Sequence, residues 1–270
     1  MKFRTEVAIE RPAWRIEPHQ RLLFVGSCFA ATMGQRFVDN QFRATVNPRG
    51  TMYNPVSILH TLQRALPADG CDVCFLTLGT NHVYRLKETG EIVDNCEKRP
   101  QRLFSEEELS VADCAEALNQ CVSLLRQSNP DVKIVFTVSP IRYAKYGFHG
   151  SQLSKATLLL AVQQVLAQAP AEQQDSLCYF PAYEIVNDEL RDYRFYAADM
   201  LHPSEQTADY IWQQLTDHLL GDRARQMMDE WRPLQQALDH KPFHPESDEY
   251  KKFLADTQQK VEDFKKKYQL

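Results

Sequence analysis

The amino-acid sequence predicts an α/β fold of three layers, with a mostly parallel sheet of about five strands and a helical C-terminal appendage. Three observations lead there. Short, continuous apolar runs recur through the first 180 residues, each bounded by turn residues, as expected of strands buried on both faces. Segments with helical spacing of apolar residues separate these runs, so β and α alternate along the chain. After Gly221 the character changes to charged, helix-prone sequence nearly free of β-branched residues. The predicted organisation is therefore an α/β domain over residues 1–220 and a helical extension over residues 221–270.

Residues 1–20 contain two prolines and little periodicity, and read as an extended lead-in wrapped on the domain. Leu22 to Val25 form the first strand, Gly26-Ser27 a sharp turn, and Phe29, Met33, Phe37 and Val38 approximate the apolar face of a helix behind it. Gln41 to Val46 is a second short strand, followed by the turn Asn47-Pro48-Arg49-Gly50. Asn54 caps a helix that has Pro55 at its first position. Cys71 to Gly79 is the third strand, and Val83 to Asn95 reads as a hairpin. Ser105 to Glu108 has the pattern of a capping box opening a helix that runs toward Ser128. Val132 to Val138 is the fourth strand, ending at Ser139-Pro140; Gly147 to Gly150 reads as a loop, and Ser154 to Gln168 as a helix. Cys178 to Phe180 is a short fifth strand, and Ala182 to Leu190 a helix. The irregular stretch Arg191 to Thr207 precedes a last domain helix through Ile211, Trp212, Leu215 and Leu219. The appendage is broken only at Pro242 to Pro245 and ends in Lys265-Lys266-Lys267; it reads as a solvated helical element, or as the place where a homo-oligomer or partner contact forms.

Composition narrows the function. The 270 residues are 43% hydrophobic and 25% charged, enough for a full core, and the net charge of −5 argues against a nucleic-acid binder. No stretch approaches the ~20 apolar residues of a membrane span, and charges occupy the N-terminal positions where a secretory signal has its apolar core. Seven cysteines, an odd number lying mostly in apolar stretches, fit buried thiols in a reducing compartment, so residence in the cytoplasm is expected. Cys71 and Cys74 have the spacing of a redox or zinc pair, but no second pair follows, and they read as core residues. No metal site and no cofactor are expected.

Ser27 stands between a strand and a helix, where free backbone N–H groups and the positive end of the helix dipole favour a developing oxyanion. The position suits a nucleophile and equally a helix N-cap. Asp199 and His202, three residues apart, can supply from one loop a base and the carboxylate that orients it. Further polar candidates near strand ends are Asn54, His82, Arg142, His149 and Lys155; Arg142 reads either as a surface arginine in a turn or as the group that holds an anionic part of a substrate.

These residues resemble a known family. Gly26-Ser27-Cys28-Phe29-Ala30 matches the motif that names the GSCFA family, and similar to it are Asn47-Pro48-x-Gly50 with Tyr53-Asn54-Pro55, Leu78-Gly79-Thr80, Val138-Ser139-Pro140 and Asp199-x-x-His202-Pro203-Ser204. The resemblance spans roughly residues 20–220. Its relation to the SGNH hydrolases implies a flavodoxin-like α/β/α fold and a serine esterase or acyltransferase site, with Ser27 as nucleophile, His202 as base and Asp199 as orienting acid. It further implies Gly50 and Asn81 as oxyanion donors, although His82 stands where the superfamily pattern has an aspartate. The implied substrate is a small molecule or carbohydrate carrying an ester such as O-acetyl. Two alternatives accompany this expectation: a non-catalytic ligand-binding protein of the same fold and, third in order, a thiol hydrolase built on Cys28, which ranks behind Ser27 as nucleophile because a first helical residue is expected to turn toward the core.

Overall fold

In the computed structural model, which describes residues 4–270, the chain runs β1 (Arg21–Gly26), α1 (Cys28–Asp39), β2 (Arg43–Val46), α2 (Pro55–Ala65), β3 (Val73–Leu78), β4 (His82–Leu86), β5 (Ile92–Val93), β6 (Phe104–Glu108), α3 (Val111–Ser128), β7 (Lys133–Val138), α4 (Gly147–Gln168), the short α5 (Ala171–Gln174), β8 (Leu177–Tyr179), the short α6 (Ala182–Glu184), α7 (Glu205–Leu219), α8 (Asp222–Leu238) and α9 (Asp248–Tyr268). Five strands pair in parallel in the order β2-β1-β3-β7-β8. Counting only these strands the order is 2-1-3-4-5, the flavodoxin-like arrangement. The remaining three, β5-β4-β6, form a small antiparallel sheet.

The apolar runs form the central strands because both of their faces are covered. Leu23, Val25, Cys74, Leu76, Leu78, Ile134, Phe136 and Val138 point to one face, where α2, α3 and α4 pack on them. Leu22, Phe24, Val73, Phe75 and Val135 point to the other, against α1, α7 and the C-terminal helices. Phe24 and Phe75 stack there with ring centroids 4.3 Å apart, and Phe37 of α1 closes the cluster. The lead-in is anchored by Ile16, which is fully buried, donates its N–H to Leu219 O and accepts from Gly221 N.

Two segments differ from the expectation. Phe104–Glu108 is a strand rather than the start of a helix: it pairs with β4 from His82↔Glu108 to Leu86↔Phe104, and Phe104 is buried while Glu106 and Glu108 face solvent. The Ser-x-x-Glu pattern is local, and cross-strand pairing overrides it. The capping box lies one step on, where Ser110 Oγ accepts from Asp113 N and Asp113 Oδ2 accepts from Ser110 N. Gly147–Gly150, expected to be a loop, is the first turn of α4, with Gly147 at φ +70 admitting the chain from the preceding turn.

The C-terminal helices are packed firmly rather than solvated all round. Helices α8 and α9 fold back on each other and bury Ala224, Met227, Trp231, Val261, Phe264 and Tyr268 against the α1 side of the sheet. Trp231 is the anchor: its ring lies 5.3 Å from that of Phe264 and its Nε1 donates to Asp39 O at 2.7 Å. Trp231→Ala is expected to destabilise the whole chain by about 3 kcal/mol, read as a lowered urea midpoint, because it leaves a cavity and an unpaired carbonyl.

Candidate active site

Between β1 and β3 the chain connections leave in opposite directions, and ligands of open parallel sheets bind at such a point, beyond the carboxyl ends of the strands. A cleft of about 320 Å³ opens there, lined by Ser27, Cys28, Tyr53, Gly79, Ser139, Ile141, Arg142, Tyr143, Ala144, Lys145, Lys155, Leu201 and His202.

The turn from β1 into α1 is set by Gly26. Its φ is +145, and a Cβ at this position would stand 2.1 Å from the carbonyl oxygen of Thr77 on the neighbouring strand. Ser27 follows, 1% exposed; its N–H donates to Thr77 O and its Oγ accepts from Phe29 N at 3.3 Å as the N-cap of α1. Cys28 is the first residue of the helix and is half-buried. Its Sγ lies 3.8 Å from Nε2 of His202, and Nδ1 of His202 lies 2.6 Å from Oδ2 of Asp199. Cys28, expected to turn toward the core, instead lines the cleft together with Ser27. Among the described residues no hydrogen bond joins Ser27 to His202, and the side chain that meets the histidine is the thiol.

The Asp199–His202 turn holds itself together. Asp199 Oδ1 accepts from the N–H groups of Leu201 and His202 at 2.9 and 3.0 Å while Oδ2 faces the ring. These bonds from His202 and Leu201 lower the carboxyl pKa to about 2. The carboxylate is therefore charged at every pH above the ordinary carboxylate range. Its stabilisation of the turn is complete there and is lost only as pH falls through about 2. Burial pushes the Cys28 thiol up, opposed by backbone N–H groups of Cys28 and Phe29 and by the charge of Lys155.

The other expected residues divide. Gly50 is exposed, at φ +86, outside the cleft lining, and its N–H is committed to Asn47 O at 2.8 Å. Asn81 is buried, but its amide donates to Leu109 O at 2.8 Å, tying β4 to the start of α3. Asn54 caps α2 by accepting from Ser57 N at 2.9 Å. All three serve the backbone, and none lines the cleft. Arg142 does line it, over the Phe148 ring at 4.0 Å and donating to Met200 O, with no carboxylate partner among the described residues. His82 is stacked on Tyr146, and His149 is exposed on the first turn of α4. Lys155 is buried at the bottom of the cleft.

Cleft residues the sequence did not single out as site candidates are Tyr53, named only within a family-like segment, and Ile141, Tyr143, Ala144, Lys145 and Leu201. A signal existed for five of them: Tyr53 precedes the cap Asn54, and Ile141, Tyr143, Ala144 and Lys145 follow the strand-ending Ser139-Pro140, where cleft residues of a parallel sheet collect. Among the described residues, no cluster of three or more His, Cys, Asp or Glu side chains is arranged to hold a metal ion, and no helix is long and apolar enough to cross a membrane.

Among solved structures the chain is similar to an acetyl-xylooligosaccharide esterase from Geobacillus Stearmophilus, at 14% identity and TM-score 0.47, covering 76% of this chain and 95% of that one. It is also similar to a carbohydrate esterase family 3 protein from Talaromyces cellulolyticus, at 10% identity and TM-score 0.39, covering 78% and 99%. No curated protein sequence matches. Residues 231–270 match the C-terminal domain of GSCFA domain proteins. Residues 21–69 and 68–215 match the GSCFA family itself, and with more than half its length so matched the chain belongs to the GSCFA family.

Proposed function

We propose that this protein is an acyl hydrolase or acyltransferase that works through a cysteine, with Cys28 as nucleophile, His202 as base and acid, and Asp199 as the group that orients the ring. The observation that carries this reading is the series Cys28 Sγ, His202 Nε2, His202 Nδ1 and Asp199 Oδ2, with successive contacts of 3.8 and 2.6 Å on opposite sides of one imidazole. Nucleophile, base and orienting carboxylate are recognised by such geometry rather than by sequence position. Apo contacts of this kind are commonly long and tighten with substrate.

In the first half-reaction His202 Nε2 takes the proton of the thiol and Sγ attacks the ester carbonyl carbon, forming an S–C bond and an oxyanion. Collapse of the tetrahedral species breaks the C–O bond to the alcohol, which leaves with the proton held on Nε2. A thioester on Cys28 remains. In the second, water or a hydroxyl group gives its proton to Nε2 and attacks the thioester, and the departing sulfur is reprotonated. The position of Cys28 at the first turn of α1 places the positive end of the helix dipole beside the developing negative charge. A cleft of about 320 Å³ is at the small end of ligand sites and suits a short acyl group with one ring of a sugar alcohol.

A serine route through Ser27 is the second reading, because Ser27 lines the same cleft. The test is to trap the intermediate. After brief incubation with p-nitrophenyl acetate and acid quench, peptide mass spectrometry is expected to find the acetyl group on Cys28, released by neutral hydroxylamine as a thioester is. An acetyl group on Ser27 instead, stable under that treatment, would overturn the cysteine assignment and support the serine one.

A further inference from the structure

Lys155 is the group the mechanism above does not use and the fold has gone furthest to place. It sits on α4, 2% exposed, at the foot of the cleft. Its Nζ donates to Gly79 O at 2.7 Å and to Ser139 O at 2.8 Å. Those two carbonyls come from the residues immediately after β3 and β7, adjacent strands of the central sheet, so the ammonium bridges the strand ends beside the turn that carries Cys28. Among the described residues no carboxylate lies within 4 Å of it.

A buried ammonium without a counter-ion is costly, and two carbonyl dipoles offset the cost only in part. Such a group gains most when negative charge forms next to it. An ammonium has three protons, and two are used by Gly79 and Ser139. Meanwhile the two groups expected to meet an oxyanion, the N–H of Gly50 and the amide of Asn81, are engaged elsewhere. The site as proposed therefore has a nucleophile, a base and the backbone N–H groups at the start of α1, but not the two further donors expected from Gly50 and Asn81.

We propose that Lys155 is the electrostatic partner of the reaction: the third N–H of its ammonium, held at the cleft floor by the carbonyls of Gly79 and Ser139, stabilises the Cys28 thiolate and then the carbonyl oxygen as it becomes an oxyanion. This inference rests on the cysteine-based reading above. Burial pulls the Lys155 pKa down to about 7, while the charge of Cys28 acts the other way, so the two groups are electrostatically linked. The charge on Lys155 is present below that value and is lost as pH rises through it, the charge of Cys28 acting to keep it. The titratable and charged groups facing the pair are Tyr183, whose ring centroid is 6.0 Å from Nζ, His202 at 3.8 Å from Sγ, and Tyr53, Tyr143, Arg142 and Lys145 on the cleft wall.

The experiment compares Lys155→Met and Lys155→Arg with the parent, using p-nitrophenyl acetate turnover and the pH dependence of Cys28 alkylation by iodoacetamide. Lys155→Met is expected to lower kcat/KM by about 10²-fold, the loss typical of one oxyanion donor, and to move the alkylation midpoint to higher pH. Lys155→Arg, which keeps the charge, is expected to hold the midpoint near that of the parent. An unchanged rate together with an unchanged midpoint in Lys155→Met overturns the role. A structural lysine would leave the midpoint in place even if turnover fell, and that pattern overturns it too. If Lys155→Met does not fold, the parent protein decides: the Lys155 ¹⁵Nζ resonance is expected to shift when Cys28 is alkylated, and a stationary resonance overturns the proposal. Failure of the cysteine reading itself is distinguishable, since Cys28→Ala would then keep turnover whatever Lys155 does.

Discussion

Cys28→Ala reduces p-nitrophenyl acetate turnover by about 10⁴-fold or more, as loss of a covalent nucleophile does, whereas Ser27→Ala stays within about tenfold of the parent. The contrast follows from what each side chain already does. Ser27 Oγ accepts from Phe29 N as the cap of α1, and the serine is 1% exposed. Replacing it removes one cap bond and costs about 1 kcal/mol of stability, visible as a modest drop in Tm. Cys28 makes no such structural bond through its sulfur, whose partner is the histidine nitrogen. Steady-state kinetics of the two variants at a pH where Asp199 is ionised provides the check. Near-parental turnover in Cys28→Ala, with a collapse in Ser27→Ala, would assign the chemistry to the serine.

Gly26→Ala is expected to be the most destabilising single methyl in the chain, by about 3 kcal/mol or more, measured by urea or thermal unfolding. Two independent penalties coincide there. The residue sits at φ +145, which an L side chain rarely adopts, and its Cβ would stand 2.1 Å from Thr77 O and within 3 Å of two more backbone atoms of Thr77. None of these atoms is the end of a flexible side chain, so relief requires that β1 and β3 separate. Ser27 N donates to that same Thr77 carbonyl, and any shift carries Cys28 away from His202. Gly50→Ala is the control: at φ +86 it is strained as well, but nothing stands within 4 Å of the added carbon, and the cost is about 1 kcal/mol.

The strands and most helices were legible because their signals are local. Leu22 to Val25, Cys71 to Gly79 and Val132 to Val138 are predominantly apolar stretches, and each holds a strand with both faces covered. The segment Ser105 to Glu108 was misread because its capping pattern is also local, while the pairing with β4 that makes it a strand is formed with residues 20 to 26 positions away. The strength of the C-terminal packing was hidden for a related reason. Helices α8 and α9 are rich in charge, and what holds them is a few large side chains, Trp231, Phe264 and Tyr268, which pack in series on one another and join the α1-side cluster, with Trp231 donating to Asp39 O, 192 positions away.

At the candidate site the division is the same. By itself the sequence determined the α/β class, the turn at Gly26 that presents Ser27 and Cys28 at a strand end, and the pairing of Asp199 with His202, because each depends on residues at most a few positions apart. Only the tertiary structure decided that the histidine meets the sulfur of Cys28, that Gly50 and Asn81 spend their N–H groups on Asn47 and Leu109, and that Lys155 reaches the strand ends from α4. The physical reason is that a helix cap and a nucleophile ask for the same residue type at the same turn. Which role a side chain takes is set by the direction in which the helix leaves the strand, and that direction is fixed by packing across the sheet.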